Sequence, residues 1–252
     1  MKKQFYVCAF AALLLYFIGC APLPTFVLDP ADGNSTWLHG KQIVSKSDGS
    51  FAVAISFEET EGANLVFDVN IKNLSDTTAL IEPEKFYYRG LALKKDSLYE
   101  SRYPSYALDP EFQLLQLDRQ IAHENANRET SEGLDLFVGL LGVAADIATI
   151  NEPKTEEQIR NEEEAEFERE MTSKAEAAEY RQTIRDLNDY RSYWKRVTLR
   201  KTSLGPNQSV SGKVYFAAKP FPPMKRMKMI KIYFPVGDKQ YDFLFNRTKY
   251  KW

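Results

Sequence analysis

Few residues in this 252-residue chain have the types and spacings that catalysis or metal binding requires. Its two histidines, His39 and His123, stand far apart, and a metal site needs three or four convergent ligands. We therefore expect both histidines to be surface residues. Glu82 and Glu84 could act as an acid–base pair, but only if the fold brought two carboxyl groups into one cleft.

The chain also lacks the short motifs that mark common enzyme classes. No H-E-x-x-H, C-x-x-C, G-x-S-x-G or glycine-rich phosphate loop occurs in the sequence. Zinc proteases, thiol redox enzymes, α/β-hydrolases and nucleotide-binding enzymes each require one of these motifs. We therefore expect a protein that is not an enzyme and that holds no metal and no cofactor.

Three tyrosines, Tyr99, Tyr103 and Tyr106, lie close together in the segment YESRYPSYALDP. Aromatic rings offer large apolar faces with a polar hydroxyl at one end, so the three could form a platform for sugar rings. The alternative interpretation is that they pack at the loop edges of a β domain. The sequence leaves both interpretations open.

The elements that must position these residues follow an N-terminal segment with a distinct composition. A positively charged start and an uncharged apolar run of 14 residues from Phe5 to Ile18 precede Gly19 and Cys20. This order is typical of a secretory signal peptide. The run is shorter than the roughly 20 residues that a membrane-spanning helix needs, and prolines follow it directly.

The sequence Phe17-Ile18-Gly19-Cys20 resembles the lipobox of bacterial lipoproteins. The resemblance implies a diacylglyceryl group on the thiol of Cys20, cleavage before Cys20, and acylation of the new amino group with a fatty acid such as palmitate. Ala21 is similar to the pattern that directs enteric lipoproteins to the outer membrane. We therefore expect a lipid-anchored protein of the bacterial cell envelope; the alternative is an ordinary cleaved signal that ends at a cysteine by chance. Several acyl chains on one residue suffice for stable anchoring.

Cysteine usage and charge limit the remaining possibilities. Cys8 lies in the predicted signal peptide and Cys20 would carry lipid, so no disulfide is possible in the mature chain. Residues 191–252 contain 15 Lys and Arg against two Asp, a net charge of +13 within a chain of net charge −2. Nucleic acid is not expected for an exported protein, which leaves an anionic partner or membrane surface, or packing of complementary halves.

Several runs alternate between apolar and polar residues in the manner of half-buried strands. In NLVFDVNIKN, apolar residues recur at every second position from Leu65 to Ile71. A hairpin is predicted from Ile230 to Phe245, with its turn at Pro235–Asp238. Further short strands are predicted in TALIEP, KFYYRGL, YWKRVTLRK and VSGKVYFAA.

Between these strand runs the pattern becomes helical. Asp109-Pro110-Glu111 combines a capping side chain, a first-position proline and a first-turn acid, so a helix should begin there. A second helix is predicted over Leu134–Ile150, and a third, long and charged, over Thr155–Tyr190.

The second predicted helix, LDLFVGLLGVAADIATI, is apolar over most of its surface. Its 17 residues reach about 25 Å, which is short of the roughly 30 Å hydrocarbon core, and it includes Asp135 and Asp146. It should therefore not span a membrane. It is either buried between its helical neighbours and the strands, or a docking surface for a partner or membrane.

The segments VFDVNIKNLSD and LGPNQSVSGKVYF resemble the Ig-like domains of secreted bacterial lipoproteins. Seven or eight short strand runs with turns between them likewise predict a mainly β fold, an Ig-like β-sandwich, and a helical segment of about 80 residues interrupts it. The expected organisation is a signal peptide at 1–19, a tether at 20–36, the β-sandwich at 37–108 and 191–252, and the helical insertion at 109–190.

These expectations lead to two functional hypotheses. The first is a lipid-anchored, non-enzymatic interaction or structural module that works with an envelope protein partner. The alternative is a lipoprotein that binds carbohydrate or cell-wall material through Tyr99, Tyr103 and Tyr106 and its basic C-terminal part. The membrane would be reached through the lipid on Cys20 in both cases.

Overall fold

The computed structural model describes residues 26–31, 35–94, 97–148, 155–218 and 227–249. The side chains of residues 131–148 are not described, so neither interpretation of the apolar helix can be compared with the structure. The predicted signal peptide and Cys20 also lie outside the described residues.

The two helices are α1 (Pro110–Ala148) and α2 (Glu156–Val197). The strands are β1 (Phe26–Pro30), β2 (Ser35–Leu38), β3 (Lys41–Ser47), β4 (Phe51–Glu61), β5 (Asn64–Asn73), β6 (Ala79–Ile81), β7 (Tyr87–Lys94), β8 (Ser97–Glu100), β9 (Ser105–Tyr106), β10 (Thr202–Leu204), β11 (Ser209–Ala217), β12 (Met229–Val236) and β13 (Lys239–Lys249).

Most strands belong to two antiparallel sheets. The six-stranded sheet has the order β1-β13-β12-β7-β8, with β9 also paired to β7. The five-stranded sheet has the order β11-β5-β4-β3-β2, and β6 pairs with β10 in a separate two-stranded sheet. The predicted class, mainly β with helices, is confirmed.

The strands with the clearest alternation form as predicted. In β5, Phe67, Val69 and Ile71 are buried while Asn70 and Lys72 are exposed. The β12–β13 hairpin likewise buries its alternating apolar side chains and turns at Gly237, whose positive φ of 60° suits a residue without a side chain. The register of both elements follows from one apolar face being buried.

The inner faces of the two large sheets share one core. The ring of Phe67 on β5 contacts that of Phe245 on β13 at 5.4 Å, and Tyr88 on β7 contacts Phe216 on β11 at 5.7 Å. Burying each such side chain contributes about 1.5–3 kcal/mol. The Tyr88 hydroxyl donates to the carbonyl of Ala217 at 3.1 Å, and burial raises the pKa of Tyr88 to about 12.

The chain divides into two compact units. The β unit comprises Met1–Ala79, Lys85–Ala107 and Leu204–Trp252, and the helical unit comprises Leu80–Glu84 and Leu108–Ser203. Both large sheets lie within the β unit, since every strand that forms them falls in its ranges.

In the helical unit, α1 begins at the predicted cap, Asp109, and α2 begins beside Thr155, where the sequence predicts the start of the third helix. The Asp109 carboxylate accepts the backbone N–H of Glu111 at 2.9 Å, and Thr155 forms a capping box with Gln158. The helices are antiparallel, because their paired residues run in opposite directions. The pairs are Asn125 with Tyr180, Asp118 with Arg191, and Glu111 with Arg200, the residue three positions beyond α2.

Three features differ from the predictions. The first two predicted helices are one continuous helix in the structure, since the residues between them include no proline and α1 runs on to Ala148. The strand predicted in YWKRVTLRK is wrong, because α2 continues to Val197 and Trp194 is buried at helical spacing from Leu187 and Tyr190. In the segment predicted as a tether, residues 20–36, residues 26–30 form β1 against β13, and residues 35 and 36 begin β2, which pairs with β3. Among the described residues, no helix has the length and hydropathy needed to cross a membrane.

Candidate interaction site

The three tyrosines singled out in the sequence do not share one face of the six-stranded sheet. Tyr106 is the cross-strand partner of Tyr87, whereas Tyr99 is the partner of Ala92. Cross-strand partners lie on the same face, and residues an odd number apart on β7 point to opposite faces. Tyr99 and Tyr106 therefore lie on opposite faces, and Tyr103 lies in the bend between their strands.

The structure instead brings Tyr106 together with two tyrosines from distant parts of the chain. Tyr87 is the cross-strand partner of Tyr106 on one side and of Tyr233 on the other. These three residues, on the face opposite the core, are called the tyrosine face below. Their order across the sheet follows from the register of β9, β7 and β12.

The rings of the tyrosine face contact one another directly. Tyr87 and Tyr233 are stacked, with ring centroids 4.7 Å apart and ring planes 17° from parallel. Tyr106 is tilted by 52° against Tyr87 at 5.7 Å. Tyr233 is only 9% exposed, whereas Tyr106 is 56% exposed. The ring of Tyr106 is therefore the part of the tyrosine face that a ligand meets first.

Charged side chains lie beside the rings on the same face. The guanidinium of Arg89 lies 5.8 Å from the centre of the Tyr87 ring, and the Lys231 ammonium 5.2 Å from that of Tyr233. Such cation–π contacts contribute about 0.5–1 kcal/mol at exposed positions. The Lys231 ammonium also contacts the carboxylate of Asp242 at 3.1 Å.

The polar end of the tyrosine face lies at Glu100. The Tyr233 hydroxyl donates to Oε1 of Glu100 at 2.7 Å, and burial together with this carboxylate raises the pKa of Tyr233. Nε of Arg89 lies 3.8 Å from the same oxygen, too far for a hydrogen bond, and is buried without a partner among the described residues. The guanidinium of Arg89, on the same face as the rings, thus has an Nε–H group without a hydrogen-bond acceptor among the described residues.

The outer face of the five-stranded sheet carries a cluster of two carboxylates and two lysines. The Lys41 ammonium bonds to both Glu58 and Asp68, 2.8 Å from the latter, and Lys213 lies 3.8 Å from Glu58. Burial raises the pKa of Asp68, but the hydrogen bond from the Lys41 ammonium and the positive charges of Lys41 and Lys213 lower that pKa overall. Asp68 is therefore ionised at neutral pH and is unsuited to act as a general acid.

Beside this cluster, the outer face of the same sheet is a shallow depression lined by small residues. Its floor includes Ala54, Ser56, Asn70, Ser211 and Gly212. Small polar side chains give a ligand little area to contact, and the adjacent charges neutralise one another. The tyrosine face is therefore the stronger candidate for binding.

The remaining residues considered in the sequence have ordinary surroundings. Glu82 and Glu84 both accept hydrogen bonds from the Lys201 ammonium, at 2.7 and 3.3 Å, which raises the pKa of that lysine. His39 and His123 are exposed, as predicted. No group of three or more metal-ligating side chains occurs within the residues that the structure describes.

In comparisons with known proteins, no family model, no curated protein and no solved structure matches this chain.

Proposed function

We propose that this chain is a lipid-anchored protein of the bacterial cell envelope that binds a partner protein through the tyrosine face and catalyses no reaction. The tyrosine face is the observation that carries the proposal. Tyrosine and arginine are the residue types enriched at the energetic centres of protein interfaces. Here Tyr87, Tyr106 and Arg89 lie together on one outer sheet face.

The geometry of the rings favours a protein partner over a sugar. A sugar ring stacks on an open aromatic face, but Tyr87 and Tyr233 each cover one face of the other. The pair therefore presents mainly edges and a hydroxyl, which suit the mixed polar and apolar contacts of a protein interface.

The strand order supports an Ig-like sandwich as the scaffold. In the six-stranded sheet, the neighbouring strands β7, β12 and β13 correspond to strands C, F and G of the immunoglobulin fold, and β8 takes the place of strand C′. Neighbouring strands β4, β5 and β11 of the other sheet correspond to A, B and E. The helical segment then enters the chain between C′ and E, at a connection where insertions change the fold least.

The anchor is tested by changing Cys20, the residue that would carry the lipid. Cys20→Ala should abolish incorporation of labelled palmitate and release the protein from the membrane fraction. The conservative change Ile18→Leu, within the lipobox, serves as the matched control and should retain both. If Cys20→Ala still fractionates with membranes, the assignment is wrong.

The tyrosine face is tested by crosslinking in intact envelopes. Tyr106→Ala should reduce the yield of partner crosslinks, because it removes the most exposed ring of the face. Tyr99→Ala is a matched control, since Tyr99 is 50% exposed on the opposite face of the same sheet. Equal crosslinking by wild type and Tyr106→Ala, or equal loss in both variants, would contradict the proposal.

A second candidate function, binding of carbohydrate or cell-wall material, is supported by the 63% exposure of Tyr103, whose neighbour in the sequence, Tyr106, is also exposed. These rings are open enough for a sugar to stack against. A glycan array with the mature chain distinguishes the two functions. Saturable binding that Tyr103→Ala abolishes would favour carbohydrate, whereas no binding across the array would favour a protein partner.

A further inference from the structure

We propose that the free edge of the five-stranded sheet pairs with the same edge of a second copy of this chain, so that the two β2 strands lie antiparallel. This edge, called the β2 edge, is formed by Ser35–Leu38, the last strand in the order β11-β5-β4-β3-β2. It belongs to a different sheet from the tyrosine face, and the inference depends neither on that face nor on the lipid anchor.

The backbone of the β2 edge has hydrogen-bonding groups that point away from the sheet. The two-residue turn His39-Gly40, with positive φ angles of 49° and 79°, joins β2 to β3, and Leu38 pairs with Lys41. The pair that closes such a turn exchanges hydrogen bonds, and bonded and non-bonded pairs alternate along an antiparallel ladder. The N–H and C=O groups of Ser35 and Trp37 therefore point outward, where a further strand can bind them.

The side chains of the β2 edge are exposed and carry no charge. Trp37 is 70% exposed, although its cross-strand partner Gln42 lies on the core-facing side of β3, two residues from the buried Val44. Leu38, on the opposite face, is 54% exposed. β2 contains no proline and no charged residue, which are common means of preventing strands from pairing edge to edge. Its length of four residues is what limits the strength of such pairing.

The other edges of the two large sheets are better protected in the described part of the chain. β1 includes Asp29 and Pro30, and β8 includes Glu100. The edge strand β11 is met by Ala107, which forms a β-bridge with Phe216. On another copy of the chain, the unprotected edge that β2 can meet is therefore β2 itself.

One register satisfies the outward groups of both copies. In an antiparallel pair, two residues that lie opposite each other either both exchange hydrogen bonds or both do not. With Ser35 opposite Trp37 of the second copy, the two-fold axis passes between the two Thr36 residues, and four hydrogen bonds form. Placing the two Trp37 residues opposite each other would leave only two, because Ser35 would then face His39, which belongs to the turn.

The side chains fit this register. The small side chain of Ser35 leaves space for the ring of Trp37 opposite it, and the two Thr36 side chains lie directly opposite each other on the other face. Threonine pairs of this kind are favourable cross-strand neighbours, and no like charges meet. The two Trp37 residues are diagonal neighbours about 7–8 Å apart, which is within reach of aromatic side chains.

The interface is small, so the dimer should be weak in solution. Each Trp37 side chain offers on the order of 150 Å² of exposed surface. With Leu38 and the strand backbone added, the buried area stays below the roughly 1,200 Å² of a standard stable interface and falls in the range of transient complexes. We therefore expect an equilibrium between monomer and dimer that depends on protein concentration.

The register is tested by disulfide trapping in the unacylated mature chain, residues 20–252 with Cys20→Ala, which contains no other cysteine. Thr36→Cys should give a covalent dimer under mild oxidation. Opposite residues that do not exchange hydrogen bonds have Cα atoms about 4.5 Å apart, and a disulfide requires about 4.4–6.8 Å. Leu38→Cys is the matched control on the same strand and face. Two such cysteines would lie about 14 Å apart, so the dimer yield should be at least about tenfold lower.

Sedimentation velocity of the same cysteine-free chain measures the association itself. Trp37→Lys removes the central ring from both copies and places a charge on each edge, so it should weaken dimerisation at least about tenfold. Leu98→Lys, at a position 54% exposed on the edge strand β8 of the other sheet, is the control and should change dimerisation less than about twofold.

Three results would overturn the inference. They are a parent chain that stays monomeric up to about 1 mM, equal trapping of Thr36→Cys and Leu38→Cys, and equal weakening by Trp37→Lys and Leu98→Lys. Failure of the proposed function is recognised separately, because Trp37→Lys leaves the tyrosine face unchanged and should not affect partner crosslinks that depend on Tyr106.

Discussion

At the scale of single residues, Asp48 connects a turn to the neighbouring sheet. Its carboxylate accepts the backbone N–H groups of Ser50 and Phe51 at 2.9 and 3.2 Å and the hydroxyl of Tyr241 at 2.6 Å. The hydrogen bond from Tyr241, followed by that from Ser50, lowers the pKa of Asp48 below its ordinary value of 3.8. The ionised carboxylate is thus the form that the fold stabilises.

This arrangement predicts a defined dependence of stability on pH. Because the folded pKa of Asp48 is lowered, its contribution is complete above pH 3.8 and is lost as the pH falls through the folded pKa. Asp48→Asn should lower the urea midpoint at neutral pH, and the difference from wild type should shrink at about pH 3. Asp238→Asn, in the exposed β12–β13 turn, is the control. A difference that stayed constant with pH would contradict the assignment.

At the scale of strands, Gly90 on β7 leaves room for a buried methionine. A Cβ atom at this position would lie 1.8 Å from Sδ of Met227, whose side chain is only 2% exposed. Met227 directly precedes Lys228, and its carbonyl accepts a hydrogen bond from Arg247 at 3.2 Å. The glycine therefore helps to fix the chain where β12 begins.

Gly90→Ala should destabilise the β unit by about 1–3 kcal/mol, the usual cost of overpacking a core. The measurement is the free energy of unfolding in denaturant, compared in the wild-type and Met227→Ala backgrounds. Met227→Ala creates the space that the new methyl group needs, so the second substitution should cost less there. The same cost in both backgrounds would show that Met227 is not the obstacle.

The sequence predicted elements whose signal is local. The alternation in β5 and in the β12–β13 hairpin, the cap at Asp109 and the helix start at Thr155 depend on neighbouring residues, and the structure has all of them. The strand predicted around Trp194 failed because aromatic and β-branched residues also fit a helix when packing favours it. Trp194 lies within α2 and is only 3% exposed, so its burial is achieved in a helix.

The tyrosine face could not be predicted from spacing in the sequence. Tyr87, Tyr106 and Tyr233 come from three separate segments, and their contact depends on which strands pair and in which register. The sequence pointed to Tyr99, Tyr103 and Tyr106 because they are neighbours along the chain. Of these, Tyr106 is the one that the register brings to the tyrosine face. Its partner on β7 is Tyr87, whereas the partner of Tyr99 is Ala92, and residues five positions apart on a strand point to opposite faces.

At the scale of the whole molecule, the two units differ in how much they bury. In the β unit, β5 and β12 are each buried along most of their length. In α2, the described side chains from Glu156 to Glu176 are exposed apart from Ala165, and burial begins only from Ala177 onwards. The exposed part includes Ile159, Phe167 and Met171, at 45%, 63% and 53% exposure.

This contrast predicts a graded pattern of amide hydrogen exchange in the isolated protein. Backbone amides of β5 and β12 should exchange slowest, since opening them exposes the core that both sheets share. Amides of α2 from Glu156 to Glu176 should exchange fastest among the helical residues, because few described side chains there are held by packing. Amides near Trp194, which is 3% exposed, should be intermediate. Slow exchange across Glu156–Glu176 in the isolated chain would mean that this part of α2 is stabilised by contacts beyond the described side chains.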